Sequence, residues 1–167
     1  MNFLYKKLII LSILIVIAIC SCNSKKNIKI PKTLEKINPE KFDDSTNLKN
    51  KNFILLHYIN GNCSKCLFDL KYWKEFRNKN KNKFKFLFII SSRSKVLSKY
   101  YIKKIKLNIP VYYDRNQIFK KTNWKHLKKM NTYLLDKDHK IIFGGNPIYN
   151  NNLENQYLRE INKRVKK

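Results

Sequence analysis

The alternation of apolar and polar positions divides the chain at residues 22 and 51. In the first segment, 1–21, Lys6 and Lys7 precede a run from Leu8 to Ile19 that is apolar except at Ser12. These twelve residues are too few for a hydrocarbon core, which takes about 20 in a helix. They match instead the apolar region of an export signal behind a short cationic start. Residues 22–50 show no sustained period, are rich in Lys and Asn, and carry Pro31 and Pro39. They read as a polar tether with at most a short strand near its end. As a loose coil this stretch would reach roughly 30 Å, and about 90 to 100 Å fully drawn out.

From Asn52 the pattern changes, and residues 51–167 read as one domain. Phe53 to Ile59 is a continuous apolar, aromatic-rich run closed by Asn60-Gly61-Asn62, the mark of a strand buried on both faces. Leu67, Leu70, Trp73 and Phe76 then recur at steps of three, which predicts an amphipathic helix over 66–78. Phe84 to Ile90 is a second buried strand. Ser91 to Ser94 supplies caps for a helix through about Lys106, Pro110 to Asp114 reads as a short strand, and 117–127 as a helix. Thr132–Asp136 and Ile141–Phe143 flank a polar turn as a hairpin, and Gly144-Gly145-Asn146-Pro147 ends it. A last helix carries Leu153, Tyr157, Ile161 and Val165 on one side. Strand, helix, strand in that order favours parallel pairing with right-handed crossovers, and so an α/β domain with a central sheet flanked by helices.

Charge adds less than its size suggests. The 167 residues carry a formal net charge of +26, which points first to nucleic acid. Lysines outnumber arginines 32 to 5, however, whereas readers of phosphate and base edges favour the planar guanidinium fork. Excess Lys, Asn and Ile together read as a solvated surface inherited from an AT-rich base composition. Losing Lys6 and Lys7 with a signal would leave +24 on the remaining chain. Export removes nucleic acid as a partner and leaves a lysine-coated domain facing anionic lipid and acidic proteins.

The four cysteines are more informative. Ile19-Cys20-Ser21-Cys22 resembles the bacterial lipoprotein signal, with an aliphatic residue three positions and a small residue one position before the modified cysteine. Cys22 fits this pattern, and Cys20 does not, because Ile19 precedes it directly. The resemblance implies cleavage before Cys22, lipidation of Cys22, and a protein anchored to a membrane without spanning it. In a Gram-negative host, Asn23 after the lipidated cysteine points to the periplasmic face of the outer membrane. In other hosts the expected place is the outer face of the cytoplasmic membrane. A plain signal peptide and an uncleaved anchor are the alternatives. The mature thiols are then Cys63 and Cys66 alone. A local pair in an oxidising compartment is read first as a redox-active disulfide. His57, His126 and His139 lack paired ligand spacing, so no metal and no other cofactor is called for. His57 lies in an apolar strand and reads as a core histidine.

Cys63-Ser64-Lys65-Cys66 directly after the strand Ile54 to Ile59, the element Pro110 to Asp114, and Thr132-Tyr133-Leu134-Leu135-Asp136 some 70 residues on together resemble the thioredoxin-like superfamily. More closely, they resemble its membrane-anchored thiol-disulfide oxidoreductases of the bacterial envelope. The resemblance covers about 50–165. It implies a thioredoxin-like fold, a mixed sheet flanked by helices with the CxxC at the first strand-to-helix junction. It also implies exchange with thiols or disulfides of exported proteins, recharged by an electron-donor thiol protein.

The chemistry follows from the placement as well. A cysteine at a helix start faces unpaired N–H groups and the positive end of the helix dipole. With Lys65 as a modulating cation, these should bring the Cys63 thiol from about 8.5 into the range of about 3.5 to 7.5. Cys63 is then the expected nucleophile and Cys66 the resolver. One departure stands out. The superfamily's cis-proline should fall just before Thr132, where this chain has Met130-Asn131, so a trans loop is expected. A non-catalytic binding or redox-switch module is the second functional reading, and a copper-chaperone-like role the third. For the anchor, Cys22→Ala should move the protein from the membrane to the soluble fraction. An uncleaved protein that stays in the membrane fraction would overturn the lipidation expectation.

Overall fold

Parallel pairing organises the molecule. The computed structural model describes residues 27–38 and 52–165; the expected export signal, Cys22 and the remainder of the 22–50 segment lie outside them. Among the described residues, six strands form one sheet: β1 (Glu35–Lys36), β2 (Phe53–Asn60), β3 (Lys85–Ser91), β4 (Val111–Tyr113), β5 (Thr132–Asp136) and β6 (Ile141–Gly144), in the order β1-β4-β3-β2-β5-β6. β2, β3 and β4 run parallel, with Asn60 opposite Ser91. β1, β5 and β6 are antiparallel to their neighbours. The mixed sheet expected from the sequence is therefore present.

Helices α1 (Ser64–Phe68), α2 (Leu70–Asn80), α3 (Lys95–Lys104) and α6 (Asn151–Val165) contribute to the larger core with Leu55, Ile59, Phe88 and Ile90. Trp73, Phe84, Phe88 and Tyr157 are its largest fully buried side chains. Ser94 caps α3 as expected, its hydroxyl accepting from the Leu97 N–H at 3.1 Å. The apolar stripe of α6 ends at Ile161, and Val165 is exposed.

The helix expected over 66–78 starts earlier, at Ser64, and is interrupted at Asp69. The helix expected over 117–127 is three short pieces: a 3-10 turn (Arg115–Gln117), α4 (Ile118–Thr122) and α5 (Trp124–Leu127). The break between α4 and α5 falls at Asn123. Its buried amide donates to the Lys29 and Phe119 carbonyls and accepts the Lys29 N–H, so the side chain serves a tertiary contact where the pattern predicted helix.

The expected tether also needs correcting, because residues 27–38 belong to the domain. Ile28 joins Leu56, Tyr58, Ile89, Phe119, Tyr133 and Leu135 in a second core on the other sheet face, with Ile30 and Leu34 against it. Asn27 bridges to Lys140, and the Ile28 N–H donates to the His139 carbonyl. β1 then pairs with β4 at the sheet edge. The physical reason is coverage: α4 and α5 are too short to cover that face alone, so the amino-terminal segment completes the layer.

Asn38 locks the segment in place. Its side chain donates to the Ile109 carbonyl and accepts the Val111 N–H at 2.7 Å, and the residue is buried. Asn38→Ala would leave both backbone groups unpaired, a loss of about 2 kcal/mol. Urea denaturation of the variant should show that loss, whereas a segment free of the domain would leave the midpoint unchanged.

Candidate functional site

The site begins where β2 runs out. Asn60 ends the strand, and the Gly61 N–H donates to the Ser91 carbonyl at 2.7 Å, fastening the turn to the end of β3. A Cβ on Gly61 would stand 2.6 Å from the Ser92 Cβ, so only glycine permits this approach. Asn62 accepts the Arg93 N–H on its side-chain oxygen at 2.9 Å, a second fastening. The chain then turns through Cys63, whose N–H donates to the Asn60 carbonyl at 3.1 Å.

Cys63 is the N-cap of α1, and its Sγ accepts the Cys66 N–H at 3.2 Å. The two cysteines are joined as a disulfide with Cα atoms 5.2 Å apart. Both are half-buried, and Cys66 packs on the main core. The sulfur thus sits where the helix presents a free N–H, the arrangement expected from the sequence.

Lys65 is placed differently from a simple cationic neighbour. Its ammonium pairs with Asp69 at 3.2 Å, one helical turn on, and lies 5.1 Å from the centre of the Tyr149 ring. The Tyr149 hydroxyl donates to Asp69 at 2.6 Å. Desolvation of the hydroxyl against Asp69 and that hydrogen bond raise the Tyr149 phenol to about 12. Asp69 therefore offsets part of the field that Lys65 sends towards the cysteines. The Lys65–Asp69 spacing is visible in the sequence, whereas Tyr149 comes from a loop 80 residues away. Phe68, 57% exposed, meets Tyr72 edge-on, and Tyr72 meets Tyr149, so a row of aromatic rings, exposed at its two ends, runs from α1 across α2 to the loop before α6. Trp73 and Tyr58 are buried in the core, whereas Phe68 and Tyr149 are exposed.

Met130 and Asn131 stand before β5, and among the described residues no peptide bond is cis. The Asn131 carbonyl accepts the Tyr58 N–H at 2.7 Å, so it extends the β2–β5 pairing. His57 is buried, with Nδ1 2.8 Å from the Thr132 hydroxyl and its ring 4.4 Å from that of Trp73. Burial lowers its pKa to about 3, against a smaller opposing pull from Asp69. It is a neutral core histidine. Among the described residues no three of His, Cys, Asp and Glu gather as metal ligands, and no helix is long and apolar enough to cross a membrane.

No family model and no curated protein matches the sequence. Solved structures match its fold. A thioredoxin-like protein in its oxidised form superposes with a TM-score of 0.60 at 16% identity, covering 83% of this chain and 98% of the other. A protein assigned as thiol:disulfide interchange protein DsbE from Chlorobium tepidum gives 0.56 at 18% identity, over 81% and 97%. The thioredoxin domain of a thiol-disulfide oxidoreductase from Bacteroides vulgatus gives 0.50 at 19%, over 64% and 79%. The fold is thioredoxin-like.

The lowered pKa of His57 has a measurable consequence for stability. Between about pH 6.5 and 3 the unfolded chain binds a proton that the folded chain refuses. The neutral ring's contribution is therefore complete above pH 6.5 and is lost as pH falls, at up to about 1.4 kcal/mol per pH unit. The difference in unfolding free energy between wild type and His57→Gln should shrink along that slope. Curves that run parallel, or an imidazole NMR signal that titrates near pH 6.5 in the folded protein, would contradict it.

Proposed function

We propose that this thioredoxin-like domain works as a thiol-disulfide oxidoreductase of the cell envelope, tethered through Cys22 and exchanging disulfides with exported proteins. The observation that carries the reading is the Cys63 sulfur, capping α1, accepting the Cys66 N–H and bonded to Cys66. A thiolate formed there keeps the N–H as a partner and gains the positive end of the helix. Lys65 adds a positive charge that Asp69 moderates, so the helix start carries more of the activation than the lysine.

Exchange then proceeds in two displacements. In the reducing direction, the Cys63 thiolate bonds to one sulfur of the client disulfide and expels the other as a thiolate, which takes up a proton. Cys66 loses its thiol proton and bonds to the Cys63 sulfur, releasing the client's second thiolate. Two electrons pass from the protein dithiol to the client. A donor dithiol protein, oxidised in turn, restores Cys63 and Cys66 by the same displacements in reverse. The half-buried position of Cys66 on the core suits it to the internal attack.

One observation favours a second reading, a non-catalytic redox-switch module. The Asn131 carbonyl, on the loop before β5 where the superfamily carries its cis-proline, already accepts the Tyr58 N–H, which leaves this loop less open to a client.

Cys66→Ser separates the two. Expressed in the native host, this variant should accumulate adducts through Cys63 that disappear on reduction and are absent from the Cys63→Ser, Cys66→Ser double variant. If no adduct forms and the reduced wild type cannot reduce a model disulfide protein, the switch reading replaces the enzyme reading.

A further inference from the structure

The three parallel strands all end on the edge of the sheet where Cys63 lies. Open α/β sheets hold ligands in the crevice outside such carboxyl ends. Here the crevice is a cleft of about 600 Å³ between the turn before Cys63 and the segments that follow β3 and β4. A smaller hollow of about 190 Å³, sharing Asn62, Ser91 and Gln117 with it, reaches Tyr58 and Lys120.

The charges lining this cleft are unevenly satisfied. Glu35 is paired with Lys95. Asp114 is buried, with one oxygen accepting the Phe119 N–H at 2.8 Å and the other the Lys120 N–H at 3.2 Å and the Tyr58 hydroxyl at 3.4 Å. Both acids are thus occupied within the protein. Arg93 and Arg115 are exposed, and their guanidiniums make no hydrogen bond or ion pair among the described residues. Arg115 acts on Glu35 only through its longer-range field.

The choice of cation is informative. With 5 arginines against 32 lysines in the chain, a random pair of surface cations would be lysines. Two of the five arginines line this one cleft. A guanidinium grips a carboxylate through two parallel N–H groups, whereas an ammonium offers only a point charge. Arg93 is also fastened through its own N–H to Asn62, the residue before Cys63. The backbone that carries this fork is therefore fastened to the turn that leads into Cys63.

We propose that this cleft is a carboxylate-reading subsite, through which the protein selects cysteine partners that carry an acidic group within a few residues of the sulfur. The proposal rests on the oxidoreductase reading of Cys63 and Cys66 and names the substrate class of that site. Arg93 and Arg115 take no part in electron transfer. They hold the partner's carboxylate while its disulfide meets Cys63, and the two displacements described above run unchanged. An acidic residue of a polypeptide and the free carboxylates of a small thiol peptide present the same chemistry.

The test measures how fast the full, reduced protein reduces matched disulfide-linked peptides carrying Glu or Gln two residues from the cysteine. Glutathione disulfide and neutral dipyridyl disulfide are measured alongside. The readout is the ratio of the Glu to the Gln peptide rate within each protein, which cancels any change in intrinsic thiol reactivity. At low salt the ratio should be about tenfold and shrink as salt rises. It should fall to about twofold or less in the Arg93→Gln, Arg115→Gln double variant, and the corresponding double Lys variant should retain only part of it. Glutathione disulfide losing rate in the double Gln variant would extend the subsite to small thiols, and its indifference would restrict it to polypeptides. Equal Glu and Gln rates in the wild type, or a preference that survives both Gln substitutions, would overturn the proposal while dipyridyl disulfide still reacts. If dipyridyl disulfide does not react at all, the oxidoreductase reading fails and the subsite with it.

Discussion

The pairing of β2 with β3, Asn60 opposite Ser91, is the constraint on which the site depends. It brings the two strand ends level, so that Gly61 can donate to Ser91 and Asn62 can accept from Arg93. With the turn fastened twice, the direction in which the chain enters α1 is set, and Cys63 falls at the cap. A slip of one residue would exchange the two faces of β2. Leu55, His57 and Ile59 would leave the helices for the face now covered by Ile28 and Phe119, and Cys63 would lose its place at the end of the sheet. Packing and chemistry are set by one register.

Around that point the surface is two-sided. Towards the loop before α6, Lys65, Asp69 and Tyr149 form a closed set in which the cation and the carboxylate satisfy each other and the phenol. Towards β3 and β4, Asp114 is turned inward, Glu35 is paired with Lys95, and the two guanidiniums face outward. A formal charge of +26 gives the whole surface a positive field, but only the second side has forked donors in the cleft without a partner among the described residues. Where the charge sits tells more than its sum.

Much of this was legible in the sequence, for identifiable reasons. β2 and β3 are buried on both faces, so each appears as an unbroken apolar run, and the cysteine pair at the end of the first run needed only the strand-then-helix order to place it. The breaks at Asp69 and Asn123 were not legible, because a polar residue inside a helical pattern looks solvent-facing until its distant partners are known. Residues 27–38 escaped for a related reason. Ile28, Ile30, Leu34 and Ile37 share no period, and the segment holds its place by backbone bonds and by the Asn38 amide, neither of which leaves a hydrophobic signature. The cleft draws on three strand ends that only the fold brings together. Its one trace in the sequence is the scarcity of arginine elsewhere.

The bridge from Asn27 to Lys140 also decides which way the domain faces. Lys140 follows the turn after β5, and Asp136 of β5 lies opposite Phe53, at the end of β2 remote from Cys63. The chain thus leaves the domain towards Cys22 from the pole opposite the disulfide. Were Cys22 lipidated, the five residue steps to Asn27 would allow a leash of at most about 17 Å, followed by roughly 25 Å of sheet. The anchor would then act as a short stalk rather than a long rope. The disulfide would then lie at the pole of the domain away from the anchor, on the side open to partners in the aqueous space.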